Sequence, residues 1–326
     1  MRAAVVSILC ALAFAAHGQS RTVAITVDDL PCANCAPITG SRSATSEQRM
    51  MEETNRRLVA GLTQAHIPVT GFVIAGEVEQ AGAVGQRSLE IWLDAGFDLG
   101  SHSYSHPNFA DLTTEEMEAD ITRADDSLRP LLAANHRTLQ FFRFPYNDTG
   151  DTQAKHDALA AFLKAHGYQL ATCTIDTSDY LFAEGYARAV GAGDSATADR
   201  IRREYLRYSA TEIDFYAALN RQVLGYEPPE VMLIHDSLLN ADSVADLLTL
   251  FRGRGYRFVS LADAQRDPAY AIPDTYVTKY GPMWGYRWAE DRKLGRLGLH
   301  EAEPPDWITN YAEGKPAPEE AKPTMP

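Results

Sequence analysis

Short apolar runs rich in β-branched and aromatic residues alternate along the chain with longer stretches in which apolar positions recur at helical spacing. The runs at 22–28 (TVAITVD), 68–74 (PVTGFVI), 97–101 (FDLGS), 139–144 (LQFFRF), 168–175 (YQLATCTI), 231–235 (VMLIH) and 256–261 (YRFVSL) predict strands. Helical spacing fills the gaps at 46–65, 77–95, 113–134, 152–166, 197–223 and 241–253. Thr113 or Thr114 ahead of Glu115 and Glu116 supplies an N-cap with acids in the first turn for one of these helices. Strands alternating with helices predict an α/β fold with a parallel sheet and crossover helices, and seven of them suit a closed or nearly closed (β/α) barrel. The rhythm stops near residue 265, which divides the chain into a barrel over 19–265 and a Pro- and aromatic-rich extension over 266–326. The extension ends in GKPAPEEAKPTMP, a composition that predicts disorder.

The first eighteen residues, MRAAVVSILCALAFAAHG, follow a different pattern. A basic residue at Arg2, an apolar run from Ala3 to Ala15, and small Ala16 and Gly18 predict a secretory signal peptide over 1–18. Its removal would leave a secreted or periplasmic protein without stable membrane insertion, since no later run approaches the length of a membrane span. The formal net charge is -14, with 44 acidic against 30 basic residues and no basic cluster, which argues against nucleic acid as a partner. Without Cys10, the cysteines are Cys32, Cys35 and Cys173. Cys32 and Cys35 form a CxxC with no second such pair, and a local loop-closing disulfide is the preferred reading for an oxidising compartment.

Chemically capable side chains collect at the C-terminal ends of the predicted strands: Asp28, Asp29, His102, Arg143, Asp176, Asp179 and His235. In a βα-barrel that rim is where sites are built. His102 and His106 are four apart, and one turn of helix-like backbone would put both imidazoles on one side. By themselves they read as a chance pair on a solvated face. Asp29 adds an anionic oxygen, completing the three-ligand set of an open catalytic zinc site. That leaves Asp28 free to work as a base beside the cation.

Five stretches then coincide, in order, with the motifs of the polysaccharide deacetylases, the NodB-homology group or carbohydrate esterase family four. TVDD (26–29), HSYSH (102–106), RFPY (143–146), DTSDY (176–180) and LIH (233–235) resemble the family's Thr-Phe-Asp-Asp, His-x3-His, Arg-x-Pro-Tyr, Asp-x-x-Asp-Trp and Leu-x-His. The resemblance covers roughly 22–265 and implies a distorted (β/α) barrel of about seven strands. It implies Asp28 as general base, Asp29, His102 and His106 as metal ligands, and Arg143 as the partner that orients Asp28. By the same resemblance Tyr146 offers its backbone N–H to the oxyanion, and His235, held by Asp179 or, as second choice, Asp176, protonates the leaving group. The implied cofactor is one divalent ion, Zn2+ first, with Co2+, Ni2+ or Mn2+ able to occupy such ligands. Two positions depart from the family pattern: Val27 stands for Phe, and Tyr180 stands for the Trp that walls the acyl groove.

The resemblance implies N-deacetylation of GlcNAc-containing glycans, peptidoglycan or chitin oligomers, to acetate and free amine. The same machinery would serve O-acetyl xylan-type esters or a small amide, because fold does not choose substrate. A catalytically inactive glycan-binding protein is the alternative from another class, and the retention of Asp28 and His235 argues against it. Trp284, Trp288 and Trp307 read as exposed-looking aromatics that either stack on sugar faces or cover the barrel.

Overall fold

The computed structural model describes residues 21–36, 38, 44–295 and 297–319; the predicted signal peptide lies outside them, as does the end of the tail. Eight parallel strands form the sheet: β1 (Thr22–Leu30), β2 (Val69–Val73), β3 (Asp98–Ser101), β4 (Phe141–Phe142), β5 (Gln169–Leu170), β6 (Ile175–Asp176), β7 (Glu230–His235) and β8 (Arg257–Phe258). Their order is β5-β4-β3-β2-β1-β7-β6, with β8 paired to the first residues of β1. This is a distorted (β/α) barrel. The central strand β1 is buried along almost its whole length, which is why its apolar run is nearly continuous.

The predicted strand 168–175 is broken, and the break is where the barrel fails to close by a ladder. Its first half pairs with β4 and its second half with β7, so β5 and β6 lie at opposite ends of the strand order although they are adjacent in sequence. Backbone groups at the seam find other partners, as buried polar groups must. Thr172 N–H donates to Gln265 Oε1 at 3.0 Å, and Cys173 O accepts from Trp284 N–H at 2.9 Å.

Two helical assignments differ from expectation. Residues 77–95 form two helices, Ala75–Ala81 and Ala83–Asp94, separated by Gly82 at φ 61°, a conformation that favours glycine. The helix Asp179–Ala192 was not predicted; its mixed spacing gives little period signal because so much of it is buried. Thr113 is the N-cap of Thr114–Ala134, in a reciprocal capping box with Glu116.

The segment after 265 packs on the barrel. Trp284 and Trp288 are 4% and 1% exposed and join the main core, which corrects the exposed-looking reading of these two rings. Trp307 is partly buried against the smaller core formed by Asp179–Ala192, Ser195–Leu224 and Asp306–Ala312. Arg287, fully buried, ties this segment to the loop after β4. It donates to Asn147 O at 2.7 Å, Thr149 Oγ1 at 2.8 Å and Pro282 O at 3.1 Å, and it pairs with Asp274 at 2.8 Å. Arg287→Ala is expected to cost about 3–5 kcal/mol, because a buried carboxylate and several acceptors lose their partner together. A urea midpoint unchanged at constant m-value would show that the clamp bears no load.

Candidate functional site

Strand register assembles the site. Asp28 on β1 lies directly opposite His235 on β7, while Val73, Ser101 and Phe142 align across β2, β3 and β4. His102 and Arg143 are therefore the first residues past two neighbouring strand ends. Between Val27 and Leu30, β1 uses one residue more than β2, so Val27 pairs with Gly71 and Leu30 with Val73. Asp29 sits in this bulge at φ 62°. Consecutive strand residues normally face opposite sides; the bulge instead brings Asp28 and Asp29 into one pocket.

That pocket has a volume of about 540 Å³. Asp29 Oδ1 lies 3.4 Å from His102 Nε2 and 3.3 Å from His106 Nε2. The three ligand atoms are all within 4.8 Å of one another. His106 reaches this position through a turn and not through the helix-like backbone expected: Ser103 and His106 have φ of 69° and 54°. The His102 ring is oriented by its other nitrogen, with Nδ1 2.9 Å from Arg143 O, so that an Nδ1–H donor leaves Nε2 facing Asp29. Asp29 Oδ1 is buried without a hydrogen bond. A carboxylate oxygen desolvated in this way, with two imidazole nitrogens turned towards it, is a set of donors that could hold a divalent cation. Burial works against the charge on Asp29, but the imidazoles of His102 and His106, helped by His235, outweigh it and hold the carboxyl well below the usual range.

Asp28 is 2% exposed and accepts from Arg143 Nη1 at 2.6 Å. The same nitrogen donates to Thr26 Oγ1 at 2.8 Å, and the guanidinium lies 4.2 Å above the centre of the Phe72 ring. Thr26 and Phe72 thus help set the Arg143 fork; sequence reasoning missed both, because a Thr two residues before the acid and a strand Phe look like ordinary packing.

On the other side, His235 Nδ1 is 2.7 Å from Asp179 Oδ1, and Asp179 Oδ2 accepts from the His235 N–H at 2.7 Å. Asn240 Nδ2 also donates to Asp179, and Tyr205 donates to Asn240 Oδ1 at 2.9 Å. Asp176 instead accepts from Ser178 N–H, and burial followed by repulsion from Asp179 pushes it up to about 6. Asn240 and Tyr205 were missed; a buried Asn one helical turn past a strand-terminal His was the available signal. Burial lowers the His235 pKa, yet Asp179, with Asp29 and Asp28, more than reverses this and pushes it up to about 10. In the cation-free protein this pair contributes stability that is complete below about pH 6.5, the ordinary imidazole value. That contribution is lost as the pH rises through about 10. The stability difference between wild type and His235→Gln in urea melts should shrink across that window, and a pH-independent difference would count against the ion pair.

Tyr146 (φ 57°) and Tyr180 flank the pocket, 59% and 50% exposed. The Tyr146 ring lies 4.7 Å from that of His106, and the Tyr180 ring 6.0 Å from that of His235. Gly281 and Met283, beyond the predicted barrel, complete the lining. A Cβ on Gly281 would meet Tyr146 O at 1.7 Å, so only glycine permits this approach.

The family model for polysaccharide deacetylase matches residues 15–179. The chain is 32% identical over 111 residues to a chitin deacetylase of Arthroderma benhamiae, covering 31% of this chain and 28% of that protein. It is 25% identical over 184 residues to chitin deacetylase 1 of Cryptococcus neoformans var. grubii, covering 54% of this chain and 37% of that protein. In these alignments it spans about a third of the length of the curated relatives it matches. A CE4 family pseudoenzyme from Bacillus anthracis superposes with a TM-score of 0.50 at 16% identity, over 76% of this chain and 66% of that one, which is a likeness of fold.

Proposed function

This chain belongs to the polysaccharide deacetylase family, and on that premise we propose that it is an exported, divalent-cation-dependent hydrolase that removes N-acetyl groups from GlcNAc-containing glycans. The observation that carries the reading is the desolvated Asp29 Oδ1 between two imidazole nitrogens, with the Asp28–Arg143 pair on one side and the His235–Asp179 pair on the other. Export rests on the N-terminal sequence; no helix of the described residues is long and apolar enough to cross a membrane.

Asp29, His102 and His106 would hold the cation, Zn2+ the first choice, which would supply Lewis acidity towards the acyl carbonyl and water. Asp28 takes the proton of the attacking water, and Arg143 keeps its carboxylate turned towards the pocket. In this reading the Tyr146 main-chain N–H is the donor to the oxyanion, on a residue that lines the pocket. His235, with Nδ1 committed to Asp179, delivers the Nε2 proton to the departing nitrogen, which leaves poorly as an anion. The products are acetate and a free amine.

Acetate release from chitin oligomers, peptidoglycan and acetylated xylan, each with and without chelator, tests the reading. Release from the first two, lost on chelation and restored by Zn2+, is expected; xylan alone as substrate would move the assignment to O-acetyl esters, and no release at all would overturn it. His102→Ala is expected to abolish stoichiometric Zn2+ binding by elemental analysis. Full metal content in that variant would remove His102 from the ligand set.

A further inference from the structure

The loop that leaves β1 carries chemistry the hydrolytic site does not use. Cys32, Cys35 and Cys173 are free thiols in the structure, so the loop-closing disulfide expected from the sequence is not formed there. Cys32 is half-buried, and the Cys35 N–H donates to Cys32 Sγ at 3.0 Å. Cys32 is the sulfur of the pair that a dissolved disulfide can reach, and the thiolate is the form that attacks disulfides. Cys35 is 1% exposed, with Sγ 3.5 Å from Asp236 O.

Beside Cys35 lies the carboxyl of Asp236, fully buried, with neither oxygen in a well-formed hydrogen bond; Asn55 and the Cys35 thiol are the side chains that reach it. Asn55 relieves it only in part, because Asn55 Nδ2 also donates to Pro31 O at 2.8 Å and Met51 O at 3.0 Å. A buried carboxyl so weakly hydrogen bonded is costly to keep. Burial raises the pKa of this carboxyl and of the Cys35 thiol, which makes the Asp236 carboxylate a stronger proton acceptor than an exposed one. The loop is stitched to the segment after His235 by Ala33 N–H to Asp236 O at 2.8 Å and Leu238 N–H to Asn34 O at 2.9 Å, which holds the Asp236 main chain against the CxxC.

We propose that Cys32 and Cys35 form a second reactive site, a dithiol that exchanges with a small-molecule disulfide, with Asp236 receiving the proton of the buried thiol. The Cys32 thiolate attacks the disulfide RSSR, forming a mixed disulfide and releasing one thiolate. Cys35 passes its proton to Asp236 and attacks the Cys32 sulfur, closing the intramolecular bond and expelling the second thiolate. Two electrons pass from the protein dithiol to RSSR, which leaves as two RSH.

The reduced full chain, treated with glutathione disulfide and followed by peptide mapping and mass spectrometry, tests this. The wild type should lose two hydrogens at Cys32–Cys35, Cys35→Ser should accumulate a glutathione adduct on Cys32, and Cys32→Ser should take no adduct at Cys35. Asp236→Asn, with thermal stability measured alongside, should slow ring closure by roughly tenfold or more while leaving formation of the Cys32 adduct unchanged. A wild type that keeps both thiols, or equal adducts on Cys32 and Cys35 in the two serine variants, overturns the site. Ring closure at the parental rate in folded Asp236→Asn removes Asp236 from it. Each readout is independent of deacetylation.

Discussion

Asp28→Asn is expected to lower kcat/KM for an N-acetylated glycan by roughly 10³-fold, within the range a positioned base contributes. The substitution keeps the shape of the side chain and an oxygen that Arg143 can reach at its present 2.6 Å, but it removes the lone pair that takes a proton. Asp29, His102 and His106 are untouched, so Zn2+ content should stay at the wild-type value. Some stability will be lost, since Arg143 is fully buried and would face a neutral partner; a buried pair broken at one end loses about 3–5 kcal/mol. Rates therefore need to be expressed per folded, metal-loaded molecule and measured well below the variant's melting temperature. Parental turnover by that measure would show that Asp28 is not the base. Loss of metal together with activity would show that it belongs to the cation's ligand set.

The second large effect is selective. His235→Gln is expected to reduce amide hydrolysis by roughly 10²-fold or more and hydrolysis of an activated aryl acetate by far less, because a phenolate leaves without a proton and an amine does not. Aspartate 179 gives the test a second arm. With Oδ1 2.7 Å from His235 Nδ1, it favours the charged imidazole against burial, so wild-type amide turnover should persist above neutral pH and decline as the acid form is lost. Asp179→Asn removes the main charge holding that proton and should move the alkaline limb to lower pH. Equal losses on amide and ester would mean that His235 acts on a step common to both, and an alkaline limb unmoved in Asp179→Asn would assign it to another group.

Much of this was legible before any coordinates. Alternation and run length located the strands because a parallel barrel buries both faces of its strands, leaving near-continuous apolar text rich in Val and Ile as in 22–28 and 231–235. The site residues were legible because each sits at the end of such a run, where the chain turns polar. His106 was found by spacing to His102, although the turn that delivers it is not helical.

By itself, then, the chain determined its α/β class, its barrel, its family and the identities of the rim residues, because these follow from local periodicity and from motifs only a few residues long. Tertiary structure alone decided that Asp28 and Asp29 share one pocket, since that depends on a bulge relative to β2, and that 168–175 breaks where the barrel meets itself. It also decided that Arg287, Gly281 and Met283, far along the chain, finish the loop around Tyr146, and that the Asp236 carboxyl is buried beside Cys35. Burial and partnership of a polar group depend on which distant segments pack against it, and no local pattern carries that information.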